Sequence, residues 1–252
     1  MWGIVPAAGR GSRIQPLAFS KELLPVGSRI DGAQERPCAV SEYLIERMLV
    51  GGVDKLCFVI APGKSDIMEY YGEGYGRARA VYVVQPQPSG LCDAIFRARH
   101  LIGRDEHVLV GLPDTIWFPI DGFSCLPRGE LSFLLFPVDN PQTFDAVVLD
   151  DNRRVVGVDV KSREPRSSWI CGAFGMTGAV LHELYALWRV RGEADEYVGT
   201  LINAWLERGG EATGVRYGQT YVDVGTFEGY RNAVALLGAG AQNITPASRD
   251  RT

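Results

Sequence analysis

Residues 7 to 13, Ala-Ala-Gly-Arg-Gly-Ser-Arg, hold the first pattern in the chain that could do chemistry. Gly9 and Gly11 can take positive φ, and the small side chains of Ala7, Ala8 and Ser12 leave the backbone uncovered. Such a loop presents consecutive N–H groups to an anion and can cradle phosphate oxygens. Arg10 belongs to the same loop, and Arg13 adds a planar fork that suits phosphate geometry. Further on, Lys21 stands as a lone cation ahead of the apolar anchor Leu23-Leu24-Pro25-Val26. Two better-known glycine loops do not fit. The dinucleotide fingerprint needs a third glycine where Ile14 stands, and the P-loop needs a Gly-Lys followed by Ser or Thr that is not here. An ordinary turn after an edge strand is the alternative for the glycines alone, and Lys21 argues against it.

This stretch resembles the signature of the sugar nucleotidyltransferases, Gly-Gly-x-Gly-Thr-Arg-Leu, a Pro, and then Lys-x-Leu-Leu-Pro-Val. Gly9, Gly11, Arg13, Pro16, Lys21, Leu23, Leu24, Pro25 and Val26 match it, whereas Ala8, Ser12 and Ile14 replace a Gly, a Thr and a Leu. The resemblance extends over nearly the whole chain. Gln85 and Gly90-Leu91 are similar to the family's Gln-x-x-x-x-Gly-Leu, which implies a reader of the nucleobase edge. An amide offers both a donor and an acceptor to a pyrimidine, so dTTP or UTP is the favoured nucleotide. Asp114 matches the aspartate of Gly-Asp-Asn and Asp223 that of Asp-x-Gly-Thr, which implies a shared magnesium ion, Mg²⁺. Pro113 and Thr115 replace the neighbours of the first aspartate, and a helix-capping role is the alternative for the second.

The sugar half departs further from the family. Lys161, ahead of Ser162-Arg163-Glu164-Pro165, resembles the lysine of a Glu-Lys-Pro segment that holds the sugar phosphate. The Glu expected before it is Val160, with Asp159 one place early, and a sugar-contacting glycine aligns with Asp145. Gly172, in Cys171-Gly172-Ala173-Phe174, keeps the glycine of the family's Thr-Gly-Leu-Tyr strand. The implied roles are Ala7 to Ser12, Gln85 and Gly90 for the nucleotide, Arg13 and Lys21 for catalysis, and Asp145, Lys161 and Gly172 for the sugar phosphate. The implied reaction is attack of a sugar-1-phosphate on a nucleoside triphosphate with release of pyrophosphate. Counted as two mismatches, Val160 and Asp145 predict that glucose-1-phosphate is a poor acceptor. They also keep open a binding or regulatory relative without turnover. A nicotinamide-dependent oxidoreductase is the third reading, disfavoured by Ile14.

Alternation of strand-like and helix-like stretches must position these groups. Trp2 to Val5, Leu56 to Ala61, Ala80 to Val84 and His107 to Val110 read as strands, with helices after Val40, over 65 to 71, and from Gly90 to about Ile102. That order implies βαβ units and a parallel sheet with ligands at the carboxyl ends of its strands. Residues 27 to 37 read as a loop and, against the family, as an insertion serving as a lid or an interface. Strands are expected over 131 to 137, 145 to 149, 154 to 160, 169 to 175 and 220 to 224, with helices over 179 to 189, 196 to 208 and 228 to 237. The expectation is an α/β, Rossmann-like three-layer α/β/α fold with a mixed, mostly parallel central sheet. It forms one domain over 1 to 237, a nucleotide half to about 115 and a sugar-phosphate half beyond, with a frayed tail from 238.

Composition narrows the class. With 252 residues and 46% hydrophobic content the chain can bury a full core. A net charge of −4 gives no electrostatic footprint for nucleic acid. Only four residues are lysine, so one on a motif position is informative. Five cysteines, odd in number and scattered, read as the reduced thiols of a cytoplasmic protein, and the three histidines form no metal spacing with them. No apolar run reaches a membrane span, no signal peptide is read, and a homo-oligomer is compatible with the resemblance.

Overall fold

The computed structural model describes residues 1–238, so the tail expected from 238 lies, beyond Gly238 itself, outside the described residues. The chain opens with β1 (Trp2–Ala7), whose side chains alternate between two apolar clusters, Trp2 and Ile4 in one and Val5 and Ala7 in the other. β2 (Pro25–Asp31) and β3 (Gln34–Ala39) follow, then α1 (Val40–Val50), β4 (Lys55–Ile60), α2 (Ser65–Tyr71), β5 (Gly74–Tyr75) and β6 (Ala78–Val84). α3 (Gly90–Arg97), β7 (His107–Gly111) and β8 (Thr115–Phe118) complete the first half. The second half holds β9 (Leu131–Pro137), β10 (Asp145–Leu149), β11 (Val155–Val160), β12 (Trp169–Thr177), α4 (Gly178–Val190), α5 (Val198–Leu206), β13 (Ala212–Arg216), β14 (Thr220–Asp223) and α6 (Phe227–Gly238).

The main sheet runs β11-β10-β12-β7-β1-β4-β6-β5, with β9 beside β12 and β13 beside β9. β1 pairs in parallel with β4 and β7, and β4 with β6, as the alternating strands and helices require. β12 runs antiparallel to β7, β9 and β10, so one continuous sheet joins the two halves. One face buries α3, α4 and α5, the other α1 and α2, which makes three layers. Each large side chain fully withdrawn from water, such as Phe58, contributes about 1.5–3 kcal/mol.

Two smaller ribbons stand apart from this sheet. β8 pairs antiparallel with β14, Thr115 opposite Asp223. The buried Arg47 of α1 supports that ribbon, donating through Nε to the Trp117 carbonyl at 2.7 Å and through Nη1 to the Tyr43 carbonyl at 2.7 Å. The other ribbon corrects the sequence reading: residues 27 to 37 are not a loop but most of the β2–β3 hairpin, turning at Gly32 with φ +64°.

Its arginines bind the hairpin to α1. Arg29 reaches Glu46, Tyr75 and, at 3.2 Å, Glu42, while Arg36 forks onto Glu42 at 2.9 and 2.8 Å. Burial works against the Glu42 charge, yet Arg36, Arg29 and two tyrosine hydroxyls hold its carboxyl down to about 2. A segment so tied to a buried helix is part of the fold rather than a swinging lid. Beneath the hairpin Leu24, Val26, Cys38, Tyr43, Ala233 and Leu237 form a third apolar cluster with α6.

Candidate active site

Chemistry-bearing residues gather where β1, β6 and β7 end. The turn after β1 is closed by the Ile14 N–H donating to the Gly11 carbonyl at 3.0 Å. Gly11 holds φ +64°, and a Cβ there would meet Lys21 Cδ at 2.7 Å. Only glycine therefore fits, and the lysine stem runs against the loop. Lys21 Nζ donates to Asp114 Oδ2. Burial opposes the Lys21 charge, but Asp114, aided by Glu22 and Asp223, raises its pKa above the ordinary value. A second lysine, not singled out in the sequence, completes the support: Lys64 Nζ donates to the Ala7 carbonyl at 2.7 Å and to both oxygens of the buried Glu22 at 2.9 and 2.8 Å. That buried pair fixes the start of the loop to the residue beside Lys21. Its only sequence signal was the scarcity of lysine.

Asp114, just before β8, and Asp223, the last residue of β14, meet at one end of the β8–β14 ribbon. A Cβ at Gly225 would lie 2.9 Å from Asp114 Oδ2 and 2.9 Å from Asp223 Oδ1, so the carboxylates face one another across that glycine. Each has its own cation, since Arg13 Nη1 donates to Asp223 Oδ2 at 3.1 Å. Among the described residues no third acidic, histidine or cysteine side chain joins them in a metal-holding group. Two hard oxygen donors without a protein cage suit an ion that takes its remaining ligands from phosphates and water, the habit of Mg²⁺.

Beside them opens a cavity of about 570 Å³ between the strand ends and the start of α5. Its walls include Gly9, Arg13, Asp114 and Asp223 together with Asp145, Lys161 and Gly172. Gly172 sits at a bulge in β12, and a Cβ there would come within 2.5 Å of the Phe136 ring and 2.8 Å of the Tyr221 ring. Lys161 takes a left-handed backbone, φ 42°, and its ammonium lies over the Tyr197 ring at 4.3 Å. Burial pushes the Asp145 carboxyl up, with Lys161 and the Gly199 amide acting the other way.

The other nominated residues, Ala7, Ala8, Arg10, Gly11, Ser12, Lys21, Gln85 and Gly90, are not among the cavity walls. The first six belong to the adjoining loop and its lysine. Gln85 is buried, with its amide nitrogen donating to the Gly90 carbonyl at 3.1 Å and to Asp93 Oδ2 at 2.8 Å. Gly90, at φ +87°, packs against the Glu196 backbone, which joins the nucleotide side to the segment leading into α5. Glu196, Tyr197 and Tyr221 also line the cavity, and nothing in the sequence pointed to them because they carry no motif spacing.

Known proteins resemble this chain in sequence and in fold. The chain is 26% identical to glucose-1-phosphate thymidylyltransferase of Neisseria meningitidis, over 97% of this chain and 84% of that protein. It is 27% identical to the low-salt glycan biosynthesis nucleotidyltransferase of Haloferax volcanii, over 80% of this chain and 57% of that one. A crystal structure of a putative glucose-1-phosphate thymidylyltransferase from Bacillus anthracis in complex with a sucrose superposes with a TM-score of 0.79 at 24% identity, covering 98% of this chain and 97% of the other. The UTP-bound UGPase of Acinetobacter baumannii gives a TM-score of 0.75 at 18% identity, covering 94% and 93%. The sequence model described as nucleotidyl transferase matches residues 2–239, and the chain belongs to that family.

Proposed function

We propose that the protein condenses a nucleoside triphosphate, dTTP or UTP, with a sugar-1-phosphate to give a nucleoside-diphosphate sugar and pyrophosphate. The observation that carries this is the meeting of Lys21, Arg13, Asp114 and Asp223 between the glycine loop and the cavity. An oxygen of the sugar phosphate attacks the α-phosphorus, and the bond to the bridging oxygen of pyrophosphate breaks. The attacking phosphate oxygen is already ionised, so no general base is needed. Positioning and charge stabilisation then supply the rate. Lys21 and Arg13 offset charge on the triphosphate, and Lys161 holds the acceptor phosphate. Asp114 and Asp223 would hold Mg²⁺, which when bound neutralises phosphate charge. The N. meningitidis relative is named for a thymidylyltransferase that acts on glucose-1-phosphate, and the A. baumannii neighbour holds UTP, which agrees with this substrate class.

Gln85 bears on the base. Both acceptors beside it, Gly90 O and Asp93, claim its amide nitrogen, which leaves Oε1 to accept from a ligand. Uracil and thymine offer an N3–H donor there, whereas the N3 of cytosine is an acceptor. The expected result is kcat/KM at least about tenfold higher for dTTP or UTP than for CTP, the size of one buried mismatch. Gln85→Ala should collapse that ratio toward one. Equal use of CTP by the wild type would remove Gln85 from base recognition.

A further inference from the structure

β10 and β11 pair antiparallel with Asp145 directly opposite Val160, so the two residues that looked like separate departures in the sequence are cross-strand neighbours. Their side chains end at one place. A Cβ at Gly199 would lie 3.1 Å from Asp145 Oδ2 and 2.8 Å from Val160 Cγ2. A carboxylate delivered from β10 thus arrives where one at position 160 of β11 would. Gly199 lies in the first turn of α5, a helix whose N-terminal residue Tyr197 supplies no side-chain cap. One carboxylate oxygen of Asp145 meets that turn. The other, Oδ1, is buried without a hydrogen-bond partner, and Asp145 belongs to the cavity wall. A helix cap would use only the first oxygen. The second is an acceptor awaiting a donor, and buried acceptors are nearly always satisfied. Lys161 does not satisfy it, since its ammonium rests over the Tyr197 ring.

We propose that Asp145 selects the acceptor substrate: Oδ1 accepts a hydrogen bond from a hydroxyl group of the bound sugar-1-phosphate, with Oδ2 anchored at the start of α5. The proposal rests on the reading of the cavity as a site for a sugar phosphate. The two departures in the sequence then amount to one carboxylate presented from β10 instead of β11. The acceptor remains a hydroxylated sugar, and the hydroxyl that faces Asp145 is the one the enzyme cannot do without.

The test uses Asp145→Asn, which keeps an oxygen for the Gly199 amide but turns the free acceptor into a donor, and Asp145→Gly with Val160→Glu, which returns the carboxylate from the other strand. Pyrophosphate release is measured with the best acceptor and with its monodeoxy analogues. Acceptor affinity is measured by calorimetry in the presence of an α,β-methylene nucleoside triphosphate, which needs no turnover. The wild type should lose roughly thirtyfold or more in kcat/KM on one monodeoxy analogue, because a site built around a hydroxyl rejects its absence. Asp145→Asn should lose a similar factor on the parent acceptor, should no longer distinguish that analogue, and should keep the KM for the triphosphate within about twofold. The double variant should recover discrimination at a ring position. Acceptor kinetics and affinity unchanged in Asp145→Asn, or only a lowered Tm, would make Asp145 a helix cap and overturn the proposal. A wild type that neither binds nor turns over any sugar-1-phosphate would overturn it together with the reading beneath it.

Discussion

Lys21→Ala is expected to lower kcat/KM for nucleotidyl transfer by about a hundredfold or more while leaving the protein folded. The Nζ group pairs with Asp114 and sits beside the glycine loop, where it meets charge rather than filling the core. Its pKa is raised, so the ammonium is fully present at neutral pH. The stability it gains from that pairing is complete below the ordinary lysine value of 10.5 and disappears only as pH rises through the higher folded value. Activity near neutrality is therefore independent of this titration. Alanine also removes the stem that packs on Gly11, so the loop loses its floor along with its cation. Charge stabilisation of a developing phosphate by one preorganised donor is worth about 2.7–4 kcal/mol, which sets the expected size of the loss. Steady-state kinetics beside a thermal melt decide it. Retention of more than about a tenth of the wild-type kcat/KM, a deficit under ~1.4 kcal/mol, would take Lys21 out of the mechanism.

Asp114→Asn and Asp223→Asn should each remove most of the activity, and the double variant should be little worse than either single one. Both carboxylates face Gly225, one from just before β8 and one from the end of β14, so losing either leaves the other without its counterpart. Residues that act as a unit on one ion are far from additive. The same arrangement predicts that activity requires a divalent metal. A double-mutant cycle on kcat/KM, run with a titration of Mg²⁺, reads both expectations. Independent effects that simply add, or full activity in excess chelator, would show that the two aspartates do not share an ion.

Much of this site could be read in the sequence because its pieces are local. The glycine loop is legible from its small residues, and Lys21, Asp114 and Asp223 each stand in a short stretch that resembles a family motif. The hairpin over 25 to 39 was hidden for the opposite reason. Gly27, Gly32 and Pro37 punctuate it like a loop, and its strand character depends on Arg29 and Arg36 reaching Glu42 and Glu46 on the next helix. Sequence periodicity carries no trace of such pairing. β13 was missed because five residues, two of them small, give no alternation to see before they pair with β9. The link between Asp145 and Val160 needed the strand register, since residues 15 positions apart become neighbours only once the hairpin closes. Lys64 and Glu22 are a similar case, joined across the end of β1.

The most direct test of the account is pyrophosphate release by the full chain with dTTP, UTP, CTP, ATP and GTP, each offered with a panel of sugar-1-phosphates. The expected result is metal-dependent release that needs both substrates together, strongest with dTTP or UTP, and a nucleoside-diphosphate sugar formed in equal amount. Triphosphate binding with no pyrophosphate released under any pairing would contradict it and leave a nucleotide-binding relative in place of an enzyme.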